Sequence, residues 1–171
     1  MAIHLCPDDH LPTYQYVTPA YLAEHGIRAL LLDVDNTLAP YEQPEPDEAL
    51  LAWLKALTDS GIKLAVVSNN RGGRIGIFTA GMTIPVYFGA GKPRPRAFLR
   101  AMKELGVSPE ETAALGDQIY TDVLAARLAK LKWVVTVPPI KDKRDLFTRF
   151  KRLCEKPVMK RYRERDTHEH T

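Results

Sequence analysis

Two aspartates, Asp33 and Asp35, follow a nearly continuous apolar run at residues 27–32. Carboxylates at positions i and i+2 beyond a strand project from one loop, so one can attack phosphorus while the other moves a proton. A phosphate dianion repels a bare carboxylate, so the attack requires a cation, and Mg²⁺ suits a site of oxygen ligands. The pair therefore predicts Mg²⁺-dependent chemistry at a phosphoryl group, with Asp33 as the nucleophile.

Other polar residues stand at or after the ends of later apolar runs. They are Ser68 and Asn69, then Lys92, then Asp117, with Asp122 five residues farther on. We expect Ser68, Asn69 and Lys92 to bind the phosphoryl oxygens, with Lys92 also keeping the attacking carboxylate ionised. A single Asp after a strand is more often a turn or cap residue, but the joint order makes coincidence improbable.

This order of residues resembles the haloacid dehalogenase-like phosphohydrolase superfamily, whose signatures are DxDx[TV], a strand-terminal Ser or Thr, a Lys, and GDxxxxD. The resemblance implies hydrolysis of a phosphomonoester through an aspartyl-phosphate on Asp33, with Asp35 protonating the leaving oxygen. It also implies that Asp33, Asp117 and the backbone carbonyl of Asp35 hold the Mg²⁺. Thr37 and Asp122 would support the site without attacking.

Within that superfamily, residues 11–152 are similar to the YqeG family of class IIIA phosphatases. The similarity lies in the segments LLLDVDNTLAPYEQP, VVSNN, GKPRPRAF, GDQIYTDVLAA and VVTVPPIKDKRDLFTRFKR. The family is related to mitochondrial phosphatidylglycerophosphate phosphatases. The resemblance therefore favours phosphatidylglycerophosphate as the substrate, presented as a phospholipid head group.

The elements that must position these residues alternate between strands and helices. Short apolar runs predict five strands, at residues 27–32 and in IKLAVVSNN, TIPVYF, TAALGD and KWVVTVP. Between them, helical spacing of apolar residues ends at Gly61 and again at Gly106. We predict an α/β, Rossmann-like fold with a mostly parallel, five-stranded sheet sandwiched by helices, which binds ligands at the carboxyl ends of its strands.

Two related architectures are excluded by spacing. A receiver domain would carry its phosphorylated Asp after the third strand, where TIPVYF has none. A large cap domain has no room, since 32 residues separate Asp35 from Ser68 and 23 separate Ser68 from Lys92. We expect an open site, which admits a phosphate carried on a larger molecule.

Composition favours one soluble domain in a reducing compartment. The chain has 171 residues, 45% of them hydrophobic, and its two cysteines lack CxxC spacing. We find neither a signal-peptide pattern nor an apolar run long enough to cross a membrane, so we expect a cytoplasmic protein. We place the phosphatase domain at residues 1–140 and a basic segment, disordered at its end, at 141–171.

That basic segment has several interpretations. Residues 141–165 carry 11 basic and 4 acidic residues, and Leu146, Phe150 and Leu153 recur at helical spacing before Pro157 ends the pattern. Such a helix can lie peripherally on an anionic membrane, or its apolar side can dock on the sheet. RNA or ribosome contact would also explain the charge. The competing function is thus a weakly active or non-enzymatic interaction protein, although nucleic acid is the less favoured partner.

Overall fold

The computed structural model describes residues 4–141 and 146–169, with side chains described for residues 4–141 and 153–164. Six strands form one sheet: β1 (Asp9–His10), β2 (Ala29–Leu32), β3 (Lys63–Val67), β4 (Val86–Tyr87), β5 (Thr112–Gly116) and β6 (Trp133–Thr136). The helices are α1 (Pro19–Glu24), α2 (Glu48–Asp59), α3 (Arg74–Thr79), α4 (Arg96–Leu105), α5 (Leu124–Leu128) and α6 (Leu146–Glu169). A π-helical turn, Ile119–Val123, leads into α5.

All strand pairs are parallel, in the order β1-β6-β5-β2-β3-β4. The α/β, Rossmann-like class predicted from the sequence is confirmed, but the count of five strands was wrong. The additional strand is β1, which contains only two residues and pairs with β6 at the sheet edge. Two residues cannot display the apolar periodicity by which the other strands were predicted.

The central strand β2 is buried on both faces. Leu30 and Leu32 pack in one hydrophobic cluster, together with Leu50 and Leu57 of α2, and Leu31 packs in the other. This arrangement explains the nearly continuous apolar run before Asp33, because a parallel strand covered by helices on both faces has no solvated side.

Helices α1, α2 and α4 have capping residues at their ends. The hydroxyl of Thr18 accepts a hydrogen bond from the backbone N–H of Tyr21 at the start of α1, and Asp47 caps α2 in the same way through Leu50. Gly106 follows α4 with a left-handed φ of 63°, which glycine adopts without steric cost.

Helix α6 differs from the sequence prediction, because it continues through Pro157 to Glu169. Proline removes one helical hydrogen bond, but tertiary contacts hold the turn before it, where Tyr120 donates its hydroxyl proton to the Cys154 carbonyl at 2.9 Å. The helix docks through Glu155, Val158, Met159 and Tyr162. Leu153 lies 58% exposed, while the side chains of Leu146 and Phe150 lie outside the described residues.

The two stretches in which a cap domain could be inserted contain only elements of the sheet layers. Residues 36–67 hold α2 and β3, and residues 69–91 hold α3 and β4. No helix among residues 4–141 and 146–169 is long and apolar enough to cross a membrane. The predicted disorder at the end of the chain stays a prediction, since residues 170–171 lie outside the described part.

Candidate active site

The parallel register brings the predicted polar residues to one edge of the sheet. Leu32 of β2 lies opposite Val66 of β3 and Leu115 of β5, so the residues that follow these three strands emerge side by side. They are Asp33, Ser68 and Asp117. The sheet therefore places the proposed nucleophile between a hydroxyl group and a second carboxylate.

Lys92 is buried between two of the carboxylates. Its Nζ lies 2.7 Å from Oδ1 of Asp33 and 2.6 Å from Oδ1 of Asp122, and its side chain is only 2% exposed. Burial alone would lower the pKa of this ammonium group, but the two neighbouring carboxylates raise it above its ordinary value. Lys92 is thus a permanent positive charge at the centre of the site.

Asp33 is strongly perturbed by its surroundings. Burial, opposed by Lys92 and reinforced by the charges of Asp122 and Asp117, raises its pKa from 3.8 to about 8. The hydroxyl of Thr37 lies 3.2 Å from Oδ2 of Asp33 and 3.3 Å from Oδ1 of Asp117. One hydroxyl has one proton to donate, so it cannot satisfy both carboxylates at once.

This concentration of negative charge fits a divalent cation. Asp33, Asp117 and Asp122 each offer an oxygen within 4.8 Å of the others. Hard cations such as Mg²⁺ take oxygen ligands of this kind and would relieve the mutual repulsion. The carboxylate of Asp35 does not belong to this cluster, and the ligand predicted from the sequence is its backbone carbonyl, which stays a prediction.

The carboxylate of Asp35 is instead paired with Arg74, the first residue of α3. The guanidinium donates a hydrogen bond to Oδ1 of Asp35, and the side-chain amide of Asn70 lies 3.4 Å from Oδ2. The loop that follows Asp35 turns at Asn36, whose φ of 65° is in the left-handed region that Asn tolerates better than most residues. The two aspartates therefore have different partners, Lys92 for Asp33 and Arg74 for Asp35.

Arg74 also holds the loop that follows Asp35 in place through hydrogen bonds. Its guanidinium donates to the carbonyl oxygens of Pro40 at 2.6 Å and Gln43 at 3.2 Å, and also to that of Tyr41. Arg74 was not identified from the sequence as part of the site. An Arg six residues after a strand-terminal Ser carries no periodic signal, and its contact with Asp35 depends on the folded loop.

Ser68 and Asn69 have distinct positions. The hydroxyl oxygen of Ser68, which is buried at the end of β3, accepts a hydrogen bond from the backbone N–H of Asn70 at 3.1 Å. The amide of Asn69 pairs twice with the backbone of Lys92, at 2.7 Å and 3.1 Å. Asn69 therefore holds the lysine loop in place, and its predicted phosphate contact stays a prediction.

Asp122 contacts both Lys92 and the loop that follows strand β5. Its Oδ2 accepts a hydrogen bond from the backbone N–H of Gln118 at 3.1 Å while Oδ1 contacts Lys92. A Cβ added to Gly116 would lie 2.5 Å from this carboxylate. The glycine of the GD pair is therefore required for close approach of Asp122 to the end of β5.

Comparisons with known proteins found similar sequences. A family model described as haloacid dehalogenase-like hydrolase matches residues 42–130. A protein of Bacillus subtilis (strain 168) named "Probable phosphatase YqeG" is 31% identical over 153 residues, which cover 90% of this chain and 88% of that protein.

Solved structures show the same fold. The 3-deoxy-D-manno-octulosonate 8-phosphate phosphatase from Moraxella catarrhalis, in complex with magnesium ion, phosphate ion and KDO molecule, has a TM-score of 0.55 and 22% identity, covering 71% of this chain and 72% of that one. A cobalt-bound octulosonate 8-phosphate phosphatase from Haemophilus influenzae has a TM-score of 0.51 and 24% identity, covering 66% and 69%.

Proposed function

This chain belongs to the haloacid dehalogenase-like hydrolases and is a phosphatase, and we propose that it hydrolyses phosphomonoesters through an aspartyl-phosphate on Asp33. The observation that carries the proposal is the buried arrangement of Lys92 between Asp33 and Asp122, with Asp117 in the same cluster. A structural ion pair would need one carboxylate for this lysine. Placing further carboxylates in the same buried cluster is costly, and a bound cation would offset that cost.

In the first step, a carboxylate oxygen of Asp33 attacks phosphorus, and the bond between phosphorus and the leaving oxygen breaks. Asp35 donates a proton to that oxygen, so the product leaves as an alcohol. In the second step, Asp35 takes a proton from a water molecule, which attacks phosphorus and releases inorganic phosphate and the free carboxylate of Asp33. Ser68 and Lys92 would donate hydrogen bonds to the phosphoryl oxygens throughout.

We propose Mg²⁺ as the metal, bound by Asp33, Asp117 and the backbone carbonyl of Asp35. When bound, it would neutralise the charge between the attacking carboxylate and the phosphate. The three carboxylate side chains of the cluster, within 4.8 Å of one another, support a cation of this class. Asp122, which contacts both Lys92 and the Gln118 backbone, would orient Lys92 rather than act directly.

For the substrate, we propose a phosphomonoester on a lipid head group, with phosphatidylglycerophosphate as the favoured compound. Two features support it: the absence of a cap between residues 36 and 91, which leaves the site open, and the excess of basic residues at 141–165. Lys156, Lys160 and Arg161 are exposed on α6 and could contact anionic lipid, as the proposed peripheral membrane contact requires. We keep residues 141–171 as a separate basic segment in this proposal.

Phosphate release from a panel of phosphatidylglycerophosphate, nucleotides and sugar phosphates tests the activity, with Mg²⁺ or with EDTA. We expect turnover that requires the metal and disappears in Asp33→Asn. Asp59→Asn provides the matched control, since Asp59 is exposed on α2 and pairs only with Lys55 among the described contacts. Turnover that persists in Asp33→Asn would rule out the proposed nucleophile, and no turnover on any compound would favour the interaction protein.

A further inference from the structure

Three large apolar side chains are exposed on loops that follow strands of the sheet. They are Tyr41 after β2, Phe88 after β4 and Ile140 after β6, and they are 39%, 46% and 48% exposed. Because β2 lies between β4 and β6 in the strand order, Phe88 and Ile140 stand on opposite sides of Asp33 at the carboxyl edge. Single exposed apolar residues are ordinary on a protein surface, but these three surround one opening.

Hydrogen bonds and ring contacts connect two of these residues to the site. The backbone N–H of Ile140 donates a hydrogen bond at 3.0 Å to the carbonyl of Asn36, which directly follows Asp35. The guanidinium of Arg74, the partner of Asp35, lies over the ring of Tyr41 at 5.1 Å from its centre. Tyr41 and Ile140 therefore flank the loop that carries the proposed proton donor.

Phe88 is accompanied by positive charge. Two residues after it, the backbone N–H of Ala90 donates a hydrogen bond at 2.9 Å to the carbonyl of Ser68. Phe88 and Arg96 line the same groove between β4 and the start of α4, and Arg94 lies two residues before that helix. Both arginines are exposed, and no ion pair joins either of them to another described residue.

The acidic residues on these loops lie on the other side of the opening. Glu42, next to Tyr41, pairs with Lys141 at 3.2 Å, and Glu45 is exposed on the same loop. Helix α6 contributes a further cation beyond them, since Lys156 lines a cavity together with Pro139, the residue before Ile140. Unpaired positive charge is thus concentrated beside Phe88.

We call Tyr41, Phe88, Arg94, Arg96 and Ile140 the rim. Asp33 is only 9% exposed behind these loops, so a phosphomonoester on a membrane lipid can reach it only when this edge of the sheet faces the bilayer. Exposed aromatic and aliphatic side chains enter the head-group region, and unpaired arginines are attracted to anionic lipid. Resting on the proposed action on a lipid head group, we infer that the rim is the surface that contacts an anionic phospholipid bilayer.

Sedimentation of the full chain with vesicles tests this inference. The vesicles consist of phosphatidylcholine with or without phosphatidylglycerol, and neither lipid has a phosphomonoester, so binding is measured without turnover. We expect the wild type to bind the vesicles that contain phosphatidylglycerol, and to bind them less as salt is added.

Substitutions locate the contact. Phe88→Glu should weaken partitioning at least about tenfold, because it removes an apolar contact and adds repulsion. Arg96→Gln should weaken it about fivefold, the contribution of one basic residue near an anionic surface. Leu128→Glu and Lys103→Gln make similar changes at exposed positions near the ends of α5 and α4, at the opposite edge of the sheet, and should retain wild-type binding.

A conservative variant measures insertion directly. Phe88→Trp keeps an aromatic ring on the rim, and lipids brominated on their acyl chains should quench the fluorescence that it adds. The fluorescence added by Leu128→Trp should not be quenched. This comparison replaces the sedimentation of Phe88→Glu if that variant fails to fold by circular dichroism.

The outcomes separate this inference from the proposed function. Wild-type binding by Phe88→Glu, no quenching in Phe88→Trp, or no binding of the wild type to any vesicle would overturn the rim while leaving hydrolysis of soluble phosphomonoesters intact. A dimer of the wild type without vesicles that Phe88→Glu dissociates would also overturn it, because the rim would then join two copies of the chain. If no phosphate ester is hydrolysed but vesicle binding depends on Phe88, the proposed function fails and the rim stands.

Discussion

Arg74 forms an ion pair with Asp35, and the same guanidinium holds the loop that follows this aspartate through the carbonyl oxygens of Pro40 and Gln43. The side chains of Arg74 and Asp35 are 14% and 22% exposed, so the pair is partly shielded from solvent. A carboxylate that must deliver a proton to a leaving oxygen needs a fixed position. We interpret Arg74 as the residue that sets the position of Asp35.

Arg74→Lys should reduce kcat by about tenfold or more while changing KM less. Lysine keeps the charge but cannot reproduce the planar fork that reaches the carboxylate and the loop carbonyls together. Steady-state kinetics measures the effect, and Arg71→Lys, an exposed position in the same loop, is the control. Wild-type kcat and an unchanged pH profile in Arg74→Lys would contradict this interpretation.

Lys92→Met should lower the free energy of unfolding by roughly 3–5 kcal/mol, because it leaves buried carboxylates without their partner. Adding Asp122→Asn to that variant should recover part of the loss, since it removes one of the uncompensated charges. Urea denaturation of the single and double variants measures both effects. Lys63→Met, which removes an exposed lysine that donates to a carbonyl of α4, should cost far less.

The raised pKa of Asp33 predicts how stability depends on pH in the metal-free protein. The unfolded chain releases this proton near pH 3.8, but the folded protein keeps it until about pH 8. Across that window the unfolded state binds fewer protons, so the free energy of unfolding falls as pH rises from about 4 to about 8. Above pH 8 the contribution of this group is constant.

Thermal or urea unfolding in EDTA, for wild type and Asp33→Asn, measures this effect as a difference between the two proteins. The substitution removes the titrating group, so the wild type should lose stability relative to Asp33→Asn as pH rises through the window. Groups that do not interact with Asp33 titrate equally in both proteins and cancel. A difference that is constant between pH 4 and pH 8 would show that Asp33 has an ordinary pKa.

Gly116→Ala should reduce activity strongly, because the added Cβ would lie 2.5 Å from the Asp122 carboxylate and displace it from Lys92. The cost in stability should be about 1–3 kcal/mol, as for other overpacked sites. Gly76→Ala is the matched control, since a Cβ there meets nothing within 4 Å in helix α3 and should stabilise the protein by about 0.5–1 kcal/mol. Equal kcat values for both variants would contradict the close-approach argument.

The sequence predicted the fold class and the positions of the polar residues because both depend on local patterns. A buried parallel strand requires a continuous apolar run, and the run at residues 27–32 ends directly before Asp33. Parallel strands place their carboxyl ends on one edge, which brings Ser68 and Asp117 beside Asp33 without any knowledge of distant contacts.

Features that depend on tertiary contacts were missed. Strand β1 is too short to show a period, and α6 passes Pro157 because Tyr120 and Ile119 hold its docked turns. The partnership of Arg74 with Asp35 and that of Asn69 with the Lys92 backbone both join residues more than 20 positions apart. A single sequence does not reveal such pairs, because neither residue lies in a periodic pattern that would indicate its partner.

The hydrogen bond between His10 and Tyr162 joins residues 152 positions apart. Closing so long a loop costs conformational entropy before any contact forms, so we expect helix α6 to dock late in folding. The three aspartates of the acidic cluster, by contrast, all precede α6 in the chain. A chain still on the ribosome would therefore contain every one of these carboxylates before α6 has been made.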